Sequence, residues 1–224
     1  MPSRQLTSLG LGSNAMMTVP MVVNFATGKT LERLNLAGNL FRTLGFGVNM
    51  FPGMSSTLKY LILQRCMIET IHPNTFNDLN VLEYLNLAQN QLNSVIPAIR
   101  KPSIRHLDLS FQNCIFHLCF PPFNLDEESF SGMESLKVLY LKGNLREVKA
   151  NYFMSCPGLE ELDISSIYLT HIDRDAFQPL SGLVSLTCTQ CWSLEAVEPD
   201  LWSPLTALEY LDLSYSPHSI IPTE

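Results

Sequence analysis

The chain has 224 residues and a formal net charge of −7, and only 16% of its residues are charged. Nucleic-acid binding would ask for a basic stripe, so no nucleic-acid partner is indicated. No apolar run reaches the roughly 18 residues of a membrane-spanning helix, and the apolar stretch from Ala15 to Val23 is better explained by the repeat that follows than by a targeting leader.

From Leu6 onward one pattern recurs, L-x-x-L-x-L-x-x-N. It opens at Leu6, Leu31, Leu58, Leu82, Ile104, Leu136, Leu159, Leu183 and Leu208, and the strings LERLNLAGN, LEYLNLAQN and LKVLYLKGN carry it most plainly. The spacings are 25, 27, 24, 22, 32, 23, 24 and 25 residues. All but the 32 fall in the range of roughly 20–29 that marks leucine-rich repeats. The predicted fold is a leucine-rich-repeat solenoid, an α/β-type horseshoe. A parallel β-sheet lines its concave face, and irregular loops and short turns form its convex face. Residues 1–224 read as a single domain of about nine repeats, lacking recognisable N- and C-terminal caps.

Each repeat begins with a short strand whose alternation sends leucines inward and the x residues outward. The Asn slot then marks a turn whose backbone groups need partners. Asn14, Asn39, Asn90 and Asn144 occupy it, Gln112 and Ser216 stand in for Asn, and Cys66 and Cys191 offer only a weak donor. Ile167 leaves a gap in this polar ladder. An aromatic lies six residues before the next repeat at Phe25, Phe76, Phe130, Phe153, Phe177 and Trp202, and seven before it at Phe51, predicting a buried spine.

The 32-residue fifth repeat is about eight residues longer than its neighbours, which places a loop insertion over 112–130. Cys114 and Cys119 lie in it, and either a disulfide across a short loop or two free thiols fits the spacing. Cys188 and Cys191 form a C-x-x-C, but the register puts both at inward positions, as buried structural thiols. No second ligand pair accompanies them, and no metal or cofactor is called for. No motif of an enzyme is present and the five histidines are scattered over different repeats, so the chain is read as non-enzymatic.

The longer pattern L-x-x-L-x-L-x-x-N-x-L-x-x-L-x-x-x-x-F-x-x-L is met by Leu159, Leu162, Ile164, Leu169, Ile172, Phe177 and Leu180. Its first part is met by Leu82, Leu85, Leu87, Asn90, Leu92 and Val95. On these residues the chain resembles animal extracellular leucine-rich-repeat proteins, the Toll-like receptor ectodomains and small leucine-rich proteoglycans. Its irregular repeat lengths lean toward the Toll-like group. The resemblance implies secretion or a membrane-anchored ectodomain, and recognition of a protein or microbial ligand on the concave face. The chain departs from it in having no cysteine-rich caps, no signalling domain and no N-x-S/T sequon. A secreted or matrix binding scaffold without a signalling role stays open, as does an intracellular repeat scaffold with reduced cysteines. Dimerisation is open as well.

The outward x positions give the candidate ligand surface. Just before the second leucine stand Tyr60, Tyr84 and His106 in successive repeats; just after it stand Asn86, Asp108 and Tyr140. Arg65, Phe111 and Lys142 occupy outer positions, with Arg65 and Lys142 flanking the ridge, and Phe116, Phe120 and Phe123 of the insertion would add an apolar wall. Aromatic and arginine side chains are favoured anchors at interfaces. Further along, Glu161, Asp163, Glu209 and Asp212 make an acidic end.

Overall fold

The computed structural model describes residues 6–19, 30–45, 50–51, 53–115, 118–119 and 123–217. Among these, one strand per repeat joins a nine-stranded sheet: Ser8–Gly10, Arg33–Asn35, Tyr60–Ile62, Tyr84–Asn86, His106–Asp108, Val138–Tyr140, Glu161–Asp163, Ser185–Thr187 and Tyr210–Asp212. Sequence order and spatial order coincide, and every neighbouring pair is parallel. The register aligns the second leucines, so Leu34, Leu61, Leu85, Leu107, Leu139, Leu162, Leu186 and Leu211 form one inward row. All but the last are essentially inaccessible. Leu211 and Leu213, expected to be buried, are only partly so, because no described repeat stacks beyond them.

Further round the coil, short parallel pairs join Thr43–Leu44 to Thr70–Ile71 and Glu147–Val148 to His171–Ile172. The described residues hold no α-helix; turns and one 3-10 helix, Pro97–Ile99, return the chain. The aromatic spine is present. Phe51 stacks on Phe76, Phe130 on Phe153 and Phe177 on Trp202, at centroid separations of 6.1, 6.4 and 5.9 Å. Phe25 lies outside the described residues. The 22-residue fourth repeat has no aromatic to contribute, and its buried Ala98 and Ile99 fill that level instead.

The Asn ladder ties each turn to the one before. Asn90 is 2% exposed. Its Oδ1 accepts from the backbone of Cys66 and Ile68, and its Nδ2 donates to the carbonyls of Leu63 and Leu87. Asn39, Gln112 and Asn144 repeat the arrangement in part or whole. Cys66 keeps half of it, its thiol donating to Leu36 O at 3.2 Å. At Ile167 the ladder breaks: the backbone N–H of Asn144 turns back to Leu141 O, and the isoleucine side chain faces outward.

In the insertion, Cys114–Ile115 pairs antiparallel with Leu118–Cys119, and a disulfide joins Cys114 to Cys119. By Phe123 and Asn124 the chain is back on the coil, through bonds to Asn144 O and Asn93 O and a bridge to Ser94. The excursion is therefore shorter than 112–130. Cys188 and Cys191 are fully buried as expected, but the structure pairs their sulfurs with each other.

Candidate ligand-binding face

The parallel register places Arg33, Tyr60, Tyr84, His106, Val138, Glu161, Ser185 and Tyr210 in one outward column. Strands lie about 4.8 Å apart, close enough for rings at equivalent positions to touch. Tyr60 and Tyr84 sit at 5.8 Å between centroids, and Tyr84 and His106 stack at 4.3 Å. The Arg33 guanidinium closes the N-terminal end, 3.9 Å over the Tyr60 ring. Arg33 was not among the residues singled out above, although it occupies the same repeat position as Tyr60.

The second column runs Asn35, Ile62, Asn86, Asp108, Tyr140, Asp163, Thr187 and Asp212. Its Asn and Asp residues are partly committed to the fold. In each, Oδ1 accepts from the backbone N–H two residues on: Ala37, Ala88, Ser110, Ser165 and Ser214. Asn86 is nine-tenths buried and its amide donates to Asp108 at 3.1 Å, so it supports the face and presents little of itself.

Tyr140 leans across to the first column. Its ring meets His106 edge-on at 5.1 Å, and its hydroxyl donates to Glu161 Oε1 at 2.6 Å. Burial raises the Tyr140 hydroxyl above its ordinary pKa, followed by the Glu161 hydrogen bond and the negative field of Glu161, Asp108 and Asp163. Burial likewise holds the His106 imidazole below its ordinary value of 6.5, against the opposing pull of Asp108 and Glu161. His106 is thus neutral near neutral pH, and the ridge of rings carries no charge of its own.

The candidates at the outer positions line clefts. Arg65 is exposed at a turn with φ of 56°, bonded to Gln89, and lines a side cleft with Met67, Gln91 and Asn113. Phe111 is also in a left-handed turn, its ring lying over the Gly143 backbone with the Lys142 ammonium 5.9 Å from its centroid. Phe111, Lys142 and Cys119 border a separate groove of roughly 380 Å³ with Ser166, Ile167 and Tyr168. The aromatic wall expected from the insertion does not include Phe123, which is buried in the coil core. Phe116, His117 and Phe120 lie outside the described residues, as does His218.

A parallel solenoid that exposes one continuous row of aromatic and polar side chains is a binding scaffold built from repeats. The family model described as Leucine rich repeat matches residues 56–115 and 157–217, and the chain belongs to that family. It is 30% identical to podocan-like protein 1 of Mus musculus over 81% of this chain and 31% of that protein. It is 29% identical to Toll-like receptor 9 of Homo sapiens over 95% of this chain and 18% of the receptor. The chain thus spans a third or less of these two relatives. Among solved structures it superposes on TLR13 in complex with ssRNA13, with a TM-score of 0.71, 24% identity and 94% of this chain against 30% of that one. It also superposes on Toll in complex with Spatzle from Drosophila, with a TM-score of 0.73, 18% identity and 94% against 27%. The resemblance to animal extracellular leucine-rich-repeat proteins holds.

Proposed function

We propose that this chain is a ligand-recognition stretch of a Toll-like receptor ectodomain of innate immunity, and that it binds a polypeptide on the open face of its sheet, outside the cell. The observation that carries the binding reading is the unbroken run Arg33–Tyr60–Tyr84–His106–Tyr140, where every successive pair is in ring contact. Tyrosine gives large contact area and a polar tip at little entropic cost. The Toll–Spatzle complex and the TLR13–ssRNA13 complex are precedents for a bound partner on this fold. A net charge of −7 favours the polypeptide.

Similarity to podocan-like protein 1 favours a second reading, a secreted matrix binder without a signalling role. Reading the transcript beyond both ends separates the two: a membrane span followed by a signalling domain supports the receptor, and a stop codon after further repeats supports the matrix protein. The binding face is tested by Tyr60→Ala with Tyr84→Ala in folded protein. Binding of the polypeptide partner should weaken by more than about 2 kcal/mol; unchanged affinity moves the site off the ridge.

A further inference from the structure

The open face is electrically one-sided along its length. Asp108, Asp163 and Asp212 share the second column, Tyr140 stands between the first two, and Glu161 holds the Tyr140 hydroxyl from the first column. Among the described residues none of these four carboxylates has an ion-pair partner; the ion pairs join Lys137 to Glu160, Lys149 to Glu147, His171 to Asp173 and Arg174 to Asp200. The field of Lys142 reaches Asp212.

The aromatic ridge beside them already takes a cation. The central carbon of the Arg33 guanidinium lies over the Tyr60 ring, 3.9 Å from its centroid, as a cation does on the electron-rich face of a ring. The ridge and the carboxylates meet at Tyr140, whose ring touches His106 and whose hydroxyl is bound to Glu161. The carboxylates are also held in place beforehand. The backbone N–H groups of Ser110 and Ser165 fix Asp108 and Asp163, so little side-chain freedom is lost when a partner arrives.

We infer that the partner presents a cationic polypeptide segment, with arginine or lysine side chains laid across Tyr84, His106 and Tyr140 and their charged ends against Asp108, Glu161 and Asp163. This inference rests on the reading of the sheet face as the binding surface. Charge complementarity carries it: the carboxylates supply paired acceptors for the guanidinium's fork of donors, and the alkyl stem of the partner's arginine or lysine packs along the ring edges. A phosphate backbone would meet four like charges on the same strip.

The test titrates the purified chain with an acetylated, amidated nona-arginine peptide and with a single-stranded oligonucleotide at physiological ionic strength. Three variants are compared with wild type. The first neutralises the strip by Asp108→Asn, Glu161→Gln and Asp163→Asn. Asn is a safe replacement here, because Asn35 and Asn86 already fill the same column with the same backbone bond. The second removes equal charge off the face by Glu128→Gln, Glu195→Gln and Glu198→Gln, all exposed. The third is Tyr60→Ala with Tyr84→Ala. Peptide affinity should fall about tenfold in the first variant and less than about twofold in the second. Equal losses in the first two variants, no peptide binding by wild type, or tighter binding of the oligonucleotide than of the peptide would overturn the cationic partner. A loss in the tyrosine variant without one in the first variant keeps the ridge and removes the cationic partner. A loss in the first variant without one in the tyrosine variant removes the ridge reading, and this inference with it.

Discussion

The rings of Tyr84 and His106 stack at 4.3 Å, with Tyr140 meeting the imidazole from its other side at 5.1 Å. That enclosure gives His106 a pH signature. Its folded pKa is lowered from 6.5 by burial, so as the pH falls the unfolded chain takes up the proton first. Stability is fully present above the unfolded value and is lost as the pH drops toward and through the folded one. Urea midpoints at about pH 7.5 and about pH 5 should therefore differ more for wild type than for His106→Gln. The other histidines act alike in both proteins, so equal pH dependences would show that His106 is not held neutral.

Gly143 has a φ of +80°, and a Cβ added there would stand 2.7 Å from the Phe111 ring. Gly143→Ala is expected to cost about 1–2 kcal/mol from the left-handed backbone alone, with the clash on top. In a Phe111→Ala background the clash disappears and only the backbone part remains. Denaturation of the two single variants and the double variant measures that difference. Additive costs would mean that Phe111 does not rest on Gly143 in solution.

The repeat period made the fold legible, because one inward leucine every 22 to 32 residues can be explained by little else than stacked coils. The ridge was legible for the same reason: Tyr60, Tyr84 and His106 hold the same place in successive repeats, and parallel pairing makes equal places neighbours. Contacts between columns were not. Tyr140 belongs to the second column, and only its lean across the strand brings it to His106 and Glu161. Arg65 and Phe111 were placed by count at outer positions, but their left-handed turns and the clefts they line, Arg65 with Met67 and Phe111 with Lys142, do not show in a repeat alignment. Where an insertion rejoins the coil depends on long-range pairing, here of Asn124 with Asn93 and Ser94, which local sequence does not encode.

Cys114 and Cys119 are registered opposite each other in a two-stranded hairpin, and protein made in an oxidising compartment should carry them as a bridge. Digestion without reduction, followed by mass spectrometry, should recover the two in one linked peptide. Cys66 and Cys156 should remain free thiols that alkylate only after unfolding, because both are buried and burial pushes Cys156 up to about 12. Rapid alkylation of Cys114 and Cys119 in the folded, unreduced protein would remove the bridge.

Asn90 makes the sharpest test of the ladder. Its side chain satisfies two backbone N–H groups and two carbonyls in the core, at 2.7 to 3.0 Å. Asn90→Ala leaves three of them, Cys66 N, Ile68 N and Leu63 O, without partners where water does not reach, while Leu87 O keeps the Gln112 amide; unpaired buried groups cost far more than a surface hydrogen bond gains. The expected loss is about 3 kcal/mol or more. Asn90→Cys should recover part of it, because the chain already uses that replacement at Cys66, whose thiol donates to the Leu36 and Gln64 carbonyls from a fully buried position. Ser216→Ala should cost less, since Ser216 makes only two such bonds, to Cys191 N and Cys188 O, from a half-buried place. Urea denaturation should thus rank the variants Asn90→Ala, Asn90→Cys, Ser216→Ala from least to most stable. An Asn90→Ala protein within about 0.5 kcal/mol of wild type would show that the turns are held by leucine packing alone.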